Sequence, residues 1–224
     1  MQARSAEERR EALVELYREA SACTRCPLHQ GRTKVVFGAG NADADLMFVG
    51  EAPGQQEDLQ GLPFVGRAGK LLDQLLGEVG LDREDVFITN VLKSRPPGNR
   101  DPELAEIDAC KPYLHAQVEL IEPRVICTLG NFATKLLTRS QRGITSVHGR
   151  PQVHELGGRA VRVFPIYHPA AALRSTKTLE ELREDFRRLP DLLEEPPPVP
   201  IGAVAPMAVV AEPPPEPPQI NLFD

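Results

Sequence analysis

Two kinds of hydrophobic pattern alternate along the first 193 residues. Short apolar runs at residues 46–49, 86–90, 125–129 and 161–166 are typical of strands buried in a parallel sheet. Between them, apolar residues recur at helical spacing, as in Leu71, Leu72, Leu75, Leu76 and Val79. The alternation predicts an α/β fold, specifically a three-layer α/β/α sandwich around a four-stranded, mostly parallel sheet.

Helix ends and breaks are also marked in the sequence. Ser5 and Glu8 have the spacing of a capping box that opens a first helix, and Thr178 and Glu181 repeat that spacing before the last one. Pro112 predicts a kink or break in a helical region that continues to residue 121.

Polar residues follow each predicted strand directly. They are Glu51 after Gly50, Asn90, Asn131 after Gly130, and His168. Because sites in parallel α/β sheets form at the carboxyl ends of the strands, we expect a pocket at this edge.

Composition divides the chain of 224 residues into three parts. Residues 1–193 form the predicted folded domain. Residues 194–218 contain ten of the 22 prolines and predict an extended linker, and residues 219–224 end it with a small apolar cluster. Five acidic residues and no basic residue lie from Glu194 onward, so the domain itself is almost neutral despite the net charge of −6. Its charge therefore neither indicates nor excludes a nucleic-acid partner.

Several classes of protein are excluded. No run of 18 apolar residues is present, so we expect no membrane-spanning helix, and the charged start of the chain is unlike a secretory signal. Four cysteines in a chain of this length do not make a disulfide-stapled protein. We expect a cytoplasmic monomer in which Cys-x-x-Cys serves metal or redox chemistry.

Four short motifs occur in a distinctive order. Alone, each has an ordinary structural interpretation, such as a tight turn for Gly50 to Gly54, a strand-end cap for Asn90 or a structural histidine for His168. The motifs are Gly50-Glu51-Ala52-Pro53-Gly54, Gly61-Leu62-Pro63-Phe64-Val65-Gly66, Thr89-Asn90-Val91-Leu92-Lys93 and His168-Pro169-Ala170-Ala171-Ala172-Leu173. Together they resemble the family-four uracil-DNA glycosylases over roughly residues 20–190.

The resemblance implies an enzyme that flips uracil out of single- or double-stranded DNA and hydrolyses its N-glycosidic bond, leaving an abasic site. Phe64 would stack on the base, and the Asn90 carboxamide would bond its O4 and N3–H. His168 would stabilise the departing anion, and Glu51 would orient or activate water. Backbone groups of Gly50, Glu51 and Ala52 would line the pocket. Neither Mg²⁺ nor a nucleotide cofactor is implied.

The cysteines point to a metal centre. Cys23 and Cys26 form a Cys-x-x-Cys pair, and the resemblance implies a [4Fe-4S] cluster, rather than zinc, held by this pair and Cys110. The family's fourth ligand position holds Ser94 here. Three possibilities stay open: Cys127 replaces the missing thiolate, which we favour; Ser94 supplies an oxygen; or the cluster is labile or absent. Cys127 is otherwise a small buried core residue.

Contacts with DNA are expected from a separate loop. Leu173 would wedge into the gap left by the flipped base and Arg174 would contact phosphate, although Leu173 would serve equally as the inward face of a helical turn. Further candidates for phosphate contacts are Lys93, Arg95, Arg100, Arg142 and Arg150.

The C-terminal residues Gln219 to Phe223 resemble the pentapeptide that binds the bacterial sliding clamp. A clamp tether on a long linker would raise the local concentration of the enzyme at DNA. Two other functions compete with the main hypothesis: a glycosylase for another deaminated base such as hypoxanthine, and a non-catalytic, clamp-tethered DNA-binding adaptor.

Overall fold

The computed structural model describes residues 4–199, which begin with a capped helix. Helix α1 spans Ala6–Ser21. The Glu8 N–H donates to Ser5 Oγ at 3.2 Å, and the Ser5 N–H donates to Glu8 Oε2 at 2.7 Å. This reciprocal pair is the predicted capping box, and it satisfies two donors that the first helical turn leaves free.

A single mixed sheet of six strands forms the middle layer. Its strands are β1 (Ala39–Gly40), β2 (Leu46–Gly50), β3 (Phe87–Asn90), β4 (Val125–Leu129), β5 (Gln152–Leu156) and β6 (Arg159–Ile166). The spatial order is β1-β3-β2-β4-β6-β5, in which the four inner strands are parallel and the two edge strands are antiparallel to their neighbours. The α/β prediction is confirmed, and its four strands are the inner ones. The prediction missed both edge strands, because β1 has two residues and β5 is only partly buried.

Helices cover both faces of the sheet. One face packs against α1, α4 (Leu104–Ile121) and α5 (Asn131–Thr138). The other packs against α3 (Arg67–Glu78), α7 (Pro169–Ala172), α8 (Thr176–Arg187) and α9 (Leu189–Glu194). The short helices α2 (Gln55–Gln60) and α6 (Ile144–Val147) lie in connections. Two separate hydrophobic clusters result, one on each side of the sheet, as a three-layer sandwich requires.

Two helix predictions need correction. Pro112 lies inside α4, which continues as one helix across it. Helix α8 begins at Thr176 with Ser175 as its N-cap, because the Ser175 hydroxyl accepts the Thr178 N–H at 3.2 Å. The capping box predicted at Thr178 and Glu181 is therefore wrong by three residues.

Ordered structure continues a little past the predicted boundary at residue 193. Helix α9 ends at Glu194. The backbone carbonyls of Glu195 and Pro196 accept hydrogen bonds from Arg124 and Arg162, respectively. Most of the predicted linker and the whole of residues 219–224 lie outside the described residues.

Close packing between a loop and α3 fixes the loop that carries Phe64. The Phe64 backbone lies against Gly69, where a Cβ atom would collide with the Phe64 carbonyl. Phe64 itself has φ = 51°, in the left-handed region that side chains rarely occupy. Contacts around the loop must therefore hold this conformation against its intrinsic cost.

We expect Gly69→Ala to lower the free energy of unfolding by about 2 kcal/mol, because backbone must move to admit the methyl group. Gly77→Ala in the same helix is the matched control, since a Cβ there meets nothing within 4 Å. That variant should be stabilised by about 0.5 kcal/mol through helix propensity. Denaturant unfolding of both variants measures the difference, and equal stabilities would contradict the packing described.

Candidate active site

The carboxyl ends of β2, β3 and β6 open into one cavity of about 420 Å³, whereas Asn131, after β4, lines a neighbouring cavity. Glu51 follows β2, Asn90 ends β3 and His168 follows β6. All three line this cavity together with Phe64, which reaches it from the loop before α3. The four side chains predicted to surround a small ring therefore meet in one place.

Gly50 makes that convergence sterically possible. A Cβ at this position would collide with Asn90 Oδ1 and would lie 2.8 Å from Cζ of the Phe64 ring. The strand-end glycine thus lets the Asn90 carboxamide and the Phe64 ring approach the same point of the backbone. Any larger residue would push one of them out of place.

The Asn90 side chain has an unused hydrogen-bond acceptor. Asn90 is 2% exposed, and its Oδ1 has no hydrogen-bond partner in the structure. An unpaired buried carbonyl is costly, and its site next to the cavity is explained if a ligand supplies the missing donor.

Two polar groups clamp the loop that presents Phe64. The Arg83 guanidinium donates to the carbonyls of Phe64 and Pro63 at 2.9 and 2.7 Å. The Glu57 carboxylate accepts the N–H groups of Val65 and Gly66 at 3.0 and 2.9 Å. These four bonds offset the backbone strain at Phe64. The sequence pattern did not single out Arg83 or Glu57, since each acts on backbone that is distant from it along the chain.

His168 is held in a defined protonation state. Its Nδ1 accepts the Ala170 N–H at 3.0 Å, so the proton of the neutral ring sits on Nε2. Burial lowers the pKa of His168 to about 4, which leaves the ring neutral near pH 7. Its centroid lies 5.6 Å from that of Phe64. The cavity thus contains a neutral imidazole with one N–H to donate.

Glu51 lies between this cavity and a second one of about 540 Å³, which His168 also lines. Burial raises the pKa of Glu51, and the negative charge of Asp101 raises it further. Asp101 lines only the second cavity. A carboxyl group with a raised pKa holds a proton more readily than a solvated one, and so suits proton exchange with water.

Comparison with known proteins agrees with this geometry. The family model for the uracil DNA glycosylase superfamily matches residues 37–189. The chain belongs to the uracil DNA glycosylase superfamily.

Named relatives extend over most of the chain. A type-4 uracil-DNA glycosylase of Archaeoglobus fulgidus is 47% identical over 186 residues, covering 81% of this chain and 94% of the relative. One from Sulfurisphaera tokodaii is 47% identical, covering 81% and 85% respectively. One from Thermotoga maritima is 49% identical over 168 residues, covering 74% and 86%.

In this superfamily member the loop after His168 lies at the surface. Leu173 follows α7 and is 40% exposed, whereas Ala172 beside it is buried. Arg174 is exposed as well. The outward position of Leu173 is the one that contact with DNA requires, and it disfavours the alternative in which Leu173 packs inward.

One expected phosphate contact is wrong. Lys93 is only 2% exposed and cannot meet a DNA backbone at the surface. Arg95 donates to Asn99 at 2.7 Å, and Arg100 donates to Glu106 at 2.6 and 2.9 Å. Arg100 and Asn99 also line the first cavity, which the sequence analysis did not anticipate for either. Arg142 and Arg150 are exposed and remain candidates.

Three of the four predicted cluster ligands lie on the same side of the superfamily fold. Cys23, Cys26 and Cys110 pack into the hydrophobic cluster beneath α1 and α4. Burial raises the pKa of the Cys110 thiol, a hydrogen bond from the Lys93 backbone opposes this, and the charges of Cys26 and Cys23 raise it again. Burial also acts to raise the pKa of Cys23, but hydrogen bonds involving Tyr113 and Arg25 outweigh it and lower the pKa. The three thiols are therefore close enough to influence one another.

The position of Cys127 corrects the prediction that it is the fourth ligand. Cys127 is fully buried in β4, and its side chain belongs to the hydrophobic cluster on the opposite face of the sheet. The sheet itself separates this thiol from the other three.

Ser94 instead directly follows Lys93, whose backbone hydrogen-bonds to the Cys110 thiol. It is buried, and its Oγ is 3.4 Å from Arg32 Nη1, while Arg32 Nη2 donates to the carbonyl of Ser21, two residues before Cys23. Within residues 4–199, no three Cys, His, Asp or Glu side chains are arranged to hold a single metal ion. A multi-iron cluster takes a separate ligand for each iron, and Cys23, Cys26 and Cys110 share one face of the sheet, as three such ligands would have to.

Residues 4–199 include no helix that is long and apolar enough to cross a membrane.

Proposed function

We propose that this chain is a type-4 uracil-DNA glycosylase that cleaves the N-glycosidic bond of uracil in DNA and leaves an abasic site. The observation that carries the proposal is the buried, unpaired Asn90 Oδ1 beside a cavity that Phe64 and His168 also line. The named type-4 relatives support the same substrate. A DNA-repair role in the cytoplasm follows from this activity.

Recognition of uracil rests on the polarity of one base edge. Uracil presents an acceptor at O4 and a donor at N3–H, so Asn90 Nδ2 would donate to the first and Oδ1 would accept the second. Cytosine presents a donor at the same exocyclic position and an acceptor at N3. It would therefore place a donor against Asn90 Nδ2 and an acceptor against Asn90 Oδ1. A buried site of this type discriminates strongly because the wrong base leaves polar groups unpaired. Phe64 would stack on the face of the base.

Bond cleavage places negative charge on the base and positive charge on the sugar. His168 would donate its Nε2 proton in a hydrogen bond to uracil O2, where the anion charge develops, and no proton transfer is needed. Glu51, in its carboxylate form, would stabilise the sugar cation, orient the attacking water and accept the proton that this water loses as the C–O bond forms. The released uracil anion would take up a proton from solvent. Backbone groups of Gly50 and Ala52 would line the base pocket. Among the described residues that line the cavity there is no lysine, which agrees with hydrolysis rather than a Schiff-base route.

DNA would be held across the mouth of this cavity. The exposed Leu173 would fill the space that the flipped base leaves in the stack, and Arg174 would contact a neighbouring phosphate. An apolar wedge offsets part of the cost of unstacking the uracil.

We expect Asn90→Asp to slow uracil release roughly 10³-fold, because the aspartate carboxylate would repel uracil O4 and would lack the N–H that the Asn90 amide donates to it. The measurement is single-turnover release of uracil from an oligonucleotide in the absence of magnesium. Asn41→Asp is the matched control. Asn41 follows β1, and its backbone N–H donates to the carbonyl of Val86, just before β3 begins and at the opposite end of that strand from Asn90. The Asn41 Oδ1 accepts the Asp43 N–H at 2.9 Å, and a carboxylate oxygen can accept the same bond. A wild-type rate for Asn90→Asp would remove Asn90 from the site.

We further propose that Cys23, Cys26 and Cys110 bind an iron–sulfur cluster, with Ser94 at the fourth ligand position. Support comes from the three thiols on one face of the sheet and from the buried Ser94 beside Lys93, whose backbone hydrogen-bonds to the Cys110 thiol. The cluster would tie α1 to α4 and to the segment after β3. Its place is structural, because none of these residues lines the base cavity. A serine is a weaker iron ligand than a thiolate, so the fourth iron would be held loosely.

We expect Ser94→Cys to raise iron and acid-labile sulfide towards roughly four of each per chain and to strengthen the brown colour. Cys127→Ala should leave both contents unchanged, since that thiol lies on the other face of the sheet. Cys110→Ala should lose most of the iron. One zinc per chain with no sulfide in the wild-type protein would contradict the proposal.

The C-terminal segment would connect the enzyme to a sliding clamp. Residues 219–224 carry the pentapeptide Gln-Ile-Asn-Leu-Phe at the end of a proline-rich stretch, which lets a catalytic domain search DNA while tethered.

Deleting residues 219–224 should abolish binding of a purified bacterial sliding clamp, measured by surface plasmon resonance, and should leave uracil release from free oligonucleotides unchanged. Alanine at both Leu222 and Phe223 is the matched variant, since it keeps the length of the chain. Clamp binding by the truncated chain at full strength would refute the tether.

A further inference from the structure

A buried lysine lies directly behind the strand end that carries Asn90. The Lys93 Nζ donates to three oxygens, each at 2.7 Å: Thr89 Oγ1, the Asn90 backbone carbonyl and Gln117 Oε1. The ammonium form has three N–H groups, and each one has a partner. Lys93 does not line either large cavity, so anything it does for a bound base acts through its neighbours.

The partners of Lys93 form a closed network. Thr89 Oγ1 also donates to the Phe37 carbonyl at 2.7 Å, and Gln117 Nε2 donates to the same carbonyl at 2.9 Å. Thr89 and Gln117 are fully buried. The network therefore joins the end of β3, helix α4 and the chain before β1 at the back of Asn90, where rigidity fixes the direction of its side chain.

These hydrogen bonds alone do not explain why a charged side chain is buried at this position. All three partners are uncharged oxygens, and taking an ammonium group out of water to meet neutral acceptors is costly. A buried cation does, however, project a positive potential into its surroundings, and that potential is weakly screened at low dielectric. The Asn90 carbonyl that Lys93 binds belongs to the same residue as the side chain that lines the cavity.

We propose that Lys93 is a positioning residue that fixes Asn90 and whose positive charge stabilises the negative charge developing on the departing base. This inference rests on the proposed function and adds to it a source of anion stabilisation distinct from His168. Preorganised charge of this type lowers a barrier because it needs no rearrangement when the bond breaks.

The test compares two leaving groups that differ in how much stabilisation the departing anion needs. Uracil and 5-fluorouracil have the same recognition edge, but the fluorinated anion is intrinsically more stable and needs less help to depart. In Lys93→Met, which keeps chain length and loses charge, we expect the maximal single-turnover rate with uracil to fall about tenfold more than the rate with 5-fluorouracil. A purely structural role would lower both rates by the same factor.

Three controls separate charge from packing. Lys93→Arg keeps the charge, so the ratio of its two rates should stay at the wild-type value even if both rates fall. Lys111→Met removes an exposed lysine of α4 and should change neither rate. If Lys93→Met does not fold, the double variant Lys93→Met, Gln117→Leu removes the cation with one of its acceptors and should show the same change in ratio.

Iron content and thermal unfolding of each variant are measured on the same samples, and rates are compared only between variants with wild-type iron. An unchanged ratio in a folded Lys93→Met or double variant would overturn the inference, as would an equal shift in Lys93→Arg. Failure of the wild-type chain to release either base would instead refute the proposed function.

Discussion

The site depends on the absence of a side chain at Gly50. The Asn90 carboxamide and the Phe64 ring both approach this residue so closely that a single Cβ would displace one of them. Phe64 is brought there by a second close approach, of its own backbone to Gly69, and is held with φ = 51° by bonds from Arg83. The backbone strain at Phe64 thus lies where a flat ligand would stack on its ring, and the surrounding contacts offset that strain.

Each polar group of the cavity has a property that its surroundings set. Ala170 fixes His168 as a neutral donor, and burial raises the pKa of Glu51. Asn90 keeps one buried acceptor unused. A DNA-binding adaptor would need none of these features, so their combination favours an enzyme over a tethering module. Lys93 adds a buried charge at the back of the same site.

The sheet separates Cys127 from the other three cysteines. Three thiols lie on the face that α1 and α4 cover, whereas Cys127 lies on the face of α3 and α8. The base cavity opens at the edge where the inner strands end. The chain around the end of β3 contacts both regions: Asn90 lines the cavity, and the backbone N–H of Lys93, three residues later, bonds to Cys110.

The four inner strands and the main helices between them, the first capping box and the meeting of Glu51, Asn90 and His168 at one edge were determined by sequence alone, because they depend on local periodicity and on strand ends that must share one edge. Three features needed the tertiary structure. Strand β4 is buried on both faces, so its apolar run carries no alternation to show which way Cys127 points. Lys93 resembled a surface charge because its acceptor Gln117 lies 24 residues away. The hydrogen bonds from Arg83 and to Glu57 that hold the Phe64 loop likewise join positions that only folding brings into contact.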